Sequence, residues 1–147
     1  MIDFDSVLSK EEAKRINPVV LAFVGDAVYS LYVRKRLVLS GGGKAAEFQR
    51  AAAKVVSAEG QSAFLNEVLP LFTEEEEEIY RRGRNAKKAT KSKHASAAEY
   101  SRSTGFEAVL GYLYLIGEKA RIDELLGVAS DSLFAVEKSP QAFKPSL

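Results

Sequence analysis

A chain of 147 residues with 21 Lys and Arg against 20 Asp and Glu carries a formal net charge of +1, and its length suits one hydrophobic core. It has no cysteine and one histidine, which excludes disulfides, thiolate nucleophiles and sulfur-ligated zinc, and leaves a Ser-His-Asp relay or a His-rich metal site only His94, a ring set among lysines. Any metal is then held by oxygen, which favours magnesium, with manganese able to substitute, and phosphate chemistry over redox work.

No apolar run approaches a membrane span, and the start Met1-Ile2-Asp3-Phe4-Asp5 is acidic where a signal peptide needs a basic start. A soluble, cytoplasmic chain without membrane contact is expected. Charge is segregated along it. Glu74 to Glu78 form an unbroken acidic run, and Arg81, Arg82, Arg84, Lys87, Lys88, Lys91 and Lys93 follow with no acid between them.

In chain order, Asn17-Pro18 predicts a capped helix start with Pro at the first position. The spacing of Val20, Phe23, Val24, Ala27, Val28, Leu31 and Tyr32 predicts a long helix ending near Gly41-Gly42-Gly43. Residues 45–56 read as a second amphipathic helix and 61–69 as a third, stopped by Pro70. Thr73 with Glu76 fits a capping box, which makes the acidic run the first turn of another helix, where carboxylates complement the helix dipole. Residues 83–96 lack apolar periodicity and are expected to form an irregular surface segment. Phe106, Val109, Leu110, Leu113 and Tyr114 share a further helical face. After a break at Gly117, Ile122, Leu125, Leu126, Ala129 and Leu133 share another, and a loose tail is expected from about 139. No strand alternation appears, so the expected fold is all-α, a single helical domain.

Two acids stand out. Asp26 lies in Phe23-Val24-Gly25-Asp26-Ala27-Val28 and Glu107 in Gly105-Phe106-Glu107-Ala108-Val109-Leu110-Gly111, both among apolar and small residues. Gly25 costs its helix about 1 kcal/mol relative to Ala, and Asp is a poor helix former, so two unfavourable choices stand together as they do at functional sites. Glycines and alanines permit close helix approach, which would bring both carboxylates into one crevice. Either a cation is shared there, or each acid simply faces water on the polar side of its helix; the residues alone leave both readings open.

The segment Leu21-Ala22-Phe23-Val24-Gly25-Asp26-Ala27-Val28 resembles the signature of the ribonuclease III family. Thr104-Gly105-Phe106-Glu107-Ala108-Val109-Leu110-Gly111-Tyr112-Leu113 resembles that family's second acidic helix. Arg82-Gly83-Arg84-Asn85-Ala86-Lys87, and Val56-Ser57-Ala58 with Gln61, resemble the Mini-III group, whose members lack the double-stranded-RNA-binding domain, and the short stretch after the last helix leaves no room for one. The resemblance covers most of the chain and is weakest before Pro18 and after Gly117.

It implies a ribonuclease III-like endonuclease domain that cleaves double-stranded RNA to 5′-phosphate and 3′-hydroxyl ends, with Asp26 and Glu107 as catalytic carboxylates holding Mg2+, or Mn2+ in its place. Val19, Ala22 and Thr104 stand where the larger enzymes carry further acids, so water, Thr104 or Glu47 is expected to complete the metal shell. The resemblance further implies a homodimer whose two sites cut opposite strands, and maturation of the large-subunit precursor ribosomal RNA, with help from a ribosomal protein as one option. Such an enzyme must grip RNA through phosphates, 2′-hydroxyls and duplex shape, and Arg82, Arg84, Asn85, Lys87 and Lys88 are the expected contacts. The alternatives are a non-catalytic RNA- or ribosome-binding relative of the same fold, and a helical interaction protein whose small residues serve only to pack a dimer.

Overall fold

The computed structural model describes residues 2–87, 96–129 and 131–139. Among these it is all-α, as expected: α1 Lys10–Lys14, α2 Pro18–Ser40, α3 Ala45–Val56, α4 Ala58–Val68, α5 Glu74–Asn85, α6 Ala97–Leu115 and α7 Lys119–Leu126, with short 3-10 turns at Leu69–Leu71 and Asp131–Phe134. Helix α6 is central, with α2, α4 and α5 packed around it and α3 packed on α2.

Local chemistry sets most of the boundaries. The Asn17 side chain accepts the Val19 N–H at 2.8 Å with Pro18 at the first helical position, fixing the start of α2. Thr73 and Glu76 form the reciprocal capping box that starts α5, and Ser96 with Glu99 does the same for α6. Helix α6 stops in a Schellman arrangement: Gly117 adopts φ 84°, its N–H donates to Tyr114 O at 3.0 Å, and the Glu118 N–H donates to Leu113 O at 2.9 Å.

Several expectations need correction. The apolar stripe that marks α2 as a helix is largely its outward face: Val20 is 52% exposed, Phe23 79% and Leu31 66%. The buried face is Leu21, Ala22, Gly25, Tyr29, Val33 and Leu37. This helix is apolar on both sides, so periodicity alone could not choose between them. Helix α4 starts at Ala58, three positions before the expected Gln61, because Ser57 caps it by accepting the Gly60 N–H. Gly83 to Asn85 are helical, with Gly83 buried against α6, while residues 88–95 of the expected irregular segment, His94 included, lie outside the described residues. Helix α7 ends at Leu126, and Leu133 belongs to the 3-10 turn beyond it. Ser139 is tied down, its backbone N–H donating to Glu47 and its hydroxyl accepting from Arg50 at 2.7 Å; residues 140–147 of the expected loose tail lie outside the described residues. Helix α1, capped by Ser9 and Glu12 and burying Ala13, has too short a pattern to be read from its sequence.

Candidate functional site

The site begins with two glycines. A Cβ on Gly25 would lie 1.7 Å from the Glu107 carbonyl oxygen, and one on Gly111 would lie 1.9 Å from that of Leu21. Helices α2 and α6 therefore touch backbone to backbone, an approach open only to glycine at both positions. That contact joins the peptide carrying Asp26 to the one carrying Glu107, as the small residues around both acids suggested.

The Asp26 carboxyl is close enough to that of Glu107 to perturb its titration. Asp26 is exposed and Glu107 half-buried, so the pair meets solvent on the Asp26 side. Burial pushes the Glu107 carboxyl up to about 9, helped by the neighbouring Asp26 carboxyl. Below that pH Glu107 keeps its proton, which a cation would have to displace in order to bind there. Two oxygen donors that repel when both are charged, open to water on one side, fit magnesium, which keeps several waters and takes one or two carboxylates. Among the described residues no three His, Cys, Asp or Glu side chains converge on one point, so these acids would not be joined there by a third.

The two candidates for completing the shell differ. Glu47 is spent elsewhere: one oxygen accepts the Lys44 N–H at 2.8 Å in the capping box of α3, and the other accepts from the Ser139 backbone. Thr104 lies three residues before Glu107 on α6, and its hydroxyl donates to Tyr100 O at 2.9 Å, which leaves acceptor lone pairs free.

Two residues beneath the acids were not anticipated as part of the site. Gln61 is 2% exposed; its Nε2 donates to Val56 O at 2.9 Å, and its amide lies near enough to Glu107 to favour the charged carboxylate. The Tyr29 hydroxyl reaches towards Val55 O at 3.5 Å, and burial, with the Glu107 charge second, raises its pKa. Rings of Tyr29, Phe64 and Phe106 pack mutually, Tyr29 on Phe106 edge-to-face at 5.3 Å, and make a stiff floor. The signal for Gln61 was present in the sequence: it occupies the first position of the α4 core stripe, followed by the buried Phe64, Leu65 and Val68.

The acidic run of α5 is structural. Glu76 takes a bidentate bond from Arg121, both distances 2.8 Å, and Glu75 accepts from the Tyr112 hydroxyl. Burial raises the Glu76 carboxyl, but Arg121 and the Thr73 backbone outweigh it and leave the group below the usual range.

The expected RNA contacts gather at the far end of α5, which packs on α6 through Gly83 and Gly105 while α2 packs through Gly25 and Gly111. Arg82 is half-buried and donates to Lys14 O at 3.1 Å. Arg84 is exposed and stacks over the Tyr80 ring at 5.6 Å, and Asn85 and Lys87 are exposed beside it. Lys88 lies outside the described residues. Arg81 and Arg102 were not among the expected contacts, yet they line the same groove as Arg84.

The ribonuclease III domain profile matches residues 19–118, a span that includes both acids and both helix contacts. The chain belongs to the ribonuclease III family. Within it the similarity runs to the Mini-III group: the chain is 46% identical over 114 residues to Mini-ribonuclease 3 of Symbiobacterium thermophilum, covering 78% of this chain and 88% of the relative. It is 46% identical over 113 residues to that of Streptococcus pneumoniae, covering 76% and 88%. In structure it resembles a crystal structure of a protein from Fusobacterium nucleatum, with TM-score 0.72 at 26% identity, covering 78% of this chain and 93% of the other. The ribonuclease III fold thus packs α2, which carries Asp26, and α5, which carries the basic end, against the central helix α6, which carries Glu107.

Proposed function

We propose that Asp26 and Glu107 are the catalytic carboxylates of a magnesium-dependent endoribonuclease that cleaves double-stranded RNA, with manganese able to take the place of magnesium. The observation that carries this reading is the glycine contact that forces two repelling acids together. When bound there, the cation supplies Lewis acidity at the phosphate and a water of lowered pKa, which together suffice for phosphodiester hydrolysis. The chain's own part is to hold and orient. Gly25 and Gly111 fix the spacing of the acids, and the aromatic floor keeps Glu107 from retreating. Asp26, at the solvent side, faces the incoming strand. The family resemblance adds water as the nucleophile, giving 5′-phosphate and 3′-hydroxyl ends.

Arg82, Arg84, Asn85, Lys87 and Lys88 are the proposed contacts to the RNA backbone, where phosphates and 2′-hydroxyls carry recognition. A homodimer completes the enzyme. The outward stripe of Val20, Phe23 and Leu31 on α2 is a surface that a second copy would cover, and it lies on the same helix as Asp26. The proposed substrate is the large-subunit precursor ribosomal RNA, and the proposed compartment is the cytoplasm; among the described residues no helix is long and apolar enough to cross a membrane.

Incubating the purified chain with a structured RNA duplex, with and without magnesium, and mapping the ends tests this reading. Magnesium-dependent cuts bearing 5′-phosphates, lost in Asp26→Asn and in Glu107→Gln, are expected. Equal cleavage in chelator, or by the folded variants, contradicts it.

A further inference from the structure

Helix α3 ends at Val56, and Ser57 turns the chain with extended backbone angles, φ −59° and ψ 157°, so the last carbonyls of α3 have no partner further along their own helix. Two side chains approach these carbonyls from the core: the Tyr29 hydroxyl at Val55 O and the Gln61 amide at Val56 O. Gln61 does more than cap. It holds a core position 2% exposed, where an apolar side chain would avoid the cost of burying an amide. Its NH2 group has two hydrogens, and Val56 takes one of them. Its Oε1 is buried and has no hydrogen-bond partner among the described residues, so capping leaves most of the amide unexplained.

We propose that Gln61 is a positioning residue for the acid pair: anchored on the Val56 carbonyl, it donates its second N–H to one oxygen of Glu107 and leaves the other oxygen facing Asp26 and the shared cation. The proposal rests on the reading of Asp26 and Glu107 as ligands of a divalent cation. Gln61 touches neither RNA nor the reacting phosphate; it acts through the orientation of Glu107, as outer partners of metal ligands do.

The test is titration of Mn2+ into the full-length chain by calorimetry, for wild type and Gln61→Met, paired with the magnesium dependence of duplex cleavage. Gln61→Met, an apolar near-isostere, is expected to bind Mn2+ about 10-fold more weakly. It should need about 10-fold more magnesium for half-maximal cleavage and recover nearly the wild-type maximal rate at saturation, with duplex affinity in chelator unchanged. A merely structural role would lower the maximal rate or the folded fraction without shifting the metal dependence. Should circular dichroism show Gln61→Met unfolded, Gln61→Asn carries the same measurement, since it keeps a buried amide but is one carbon too short to reach both Val56 and Glu107. Equal Mn2+ affinity in wild type and the folded variant overturns the role of Gln61 alone. Failure of the wild type itself to bind Mn2+ overturns the acid-pair reading and this one with it.

Discussion

A methyl group at position 25 would sit 1.7 Å from a backbone oxygen, so Gly25→Ala must push α2 away from α6. Overpacking against a side chain typically costs about 1–3 kcal/mol, and backbone yields less, so a destabilisation of about 3 kcal/mol or more is expected in urea denaturation. Glu107 gives a second prediction at this scale. Its folded pKa, about 9, lies well above that of a carboxyl group in water, so the folded metal-free chain binds its proton more tightly than the unfolded one. The stabilising contribution is full below the unfolded pKa and fades as pH rises through the folded one. Metal-free Glu107→Gln should therefore be more stable than wild type at pH 8, by about 1–3 kcal/mol, with the advantage vanishing by about pH 4. A pH-independent difference in melting curves would contradict this. Asp26 and Glu107 were legible as an unusual pair because acids and glycines interrupt otherwise strong helices. Gln61 was legible only as a polar residue in a core stripe, since its role depends on its neighbours across α3 and α6.

Helices with a polar side and a cap gave themselves away. Helix α3 runs over the residues its pattern marks, 45–56, and α5 starts at the capping box of Thr73 and Glu76. Thr73→Ala should cost about 1 kcal/mol by thermal denaturation, the usual effect of removing such a cap. Helix α2 was legible in extent and not in orientation, since apolar residues occupy both of its faces. The end of α5 was harder still: Gly83, Arg84 and Asn85 look like loop, yet they are helical and Gly83 is buried because Gly105 opposite it lets the two helices close. Replacing Arg84 and Lys87 with alanine should weaken duplex binding and flatten its dependence on salt, by about one unit of log–log slope for each phosphate no longer neutralised. An unchanged slope would remove this end of α5 from the RNA interface.

At the scale of the molecule, an isolated chain leaves an apolar α2 stripe in water, which the proposed dimer covers. Leu31→Glu should give monomers by sedimentation where wild type gives dimers, and a monomeric wild type would contradict the assembly. The approach of α2 to α6 was legible in the small residues around the two acids, whereas the packing of α5 on α6 was not, because Gly83 and Gly105 leave no periodic mark that names their partner. The approach of α2 to α6 brings the two acids together, and in the proposed function they share a cation. Manganese anomalous scattering from crystals of the metal-loaded chain tests this directly. The account predicts a peak within coordination distance of oxygens from both Asp26 and Glu107, and manganese bound only elsewhere, or by one of the two acids without the other, would contradict it.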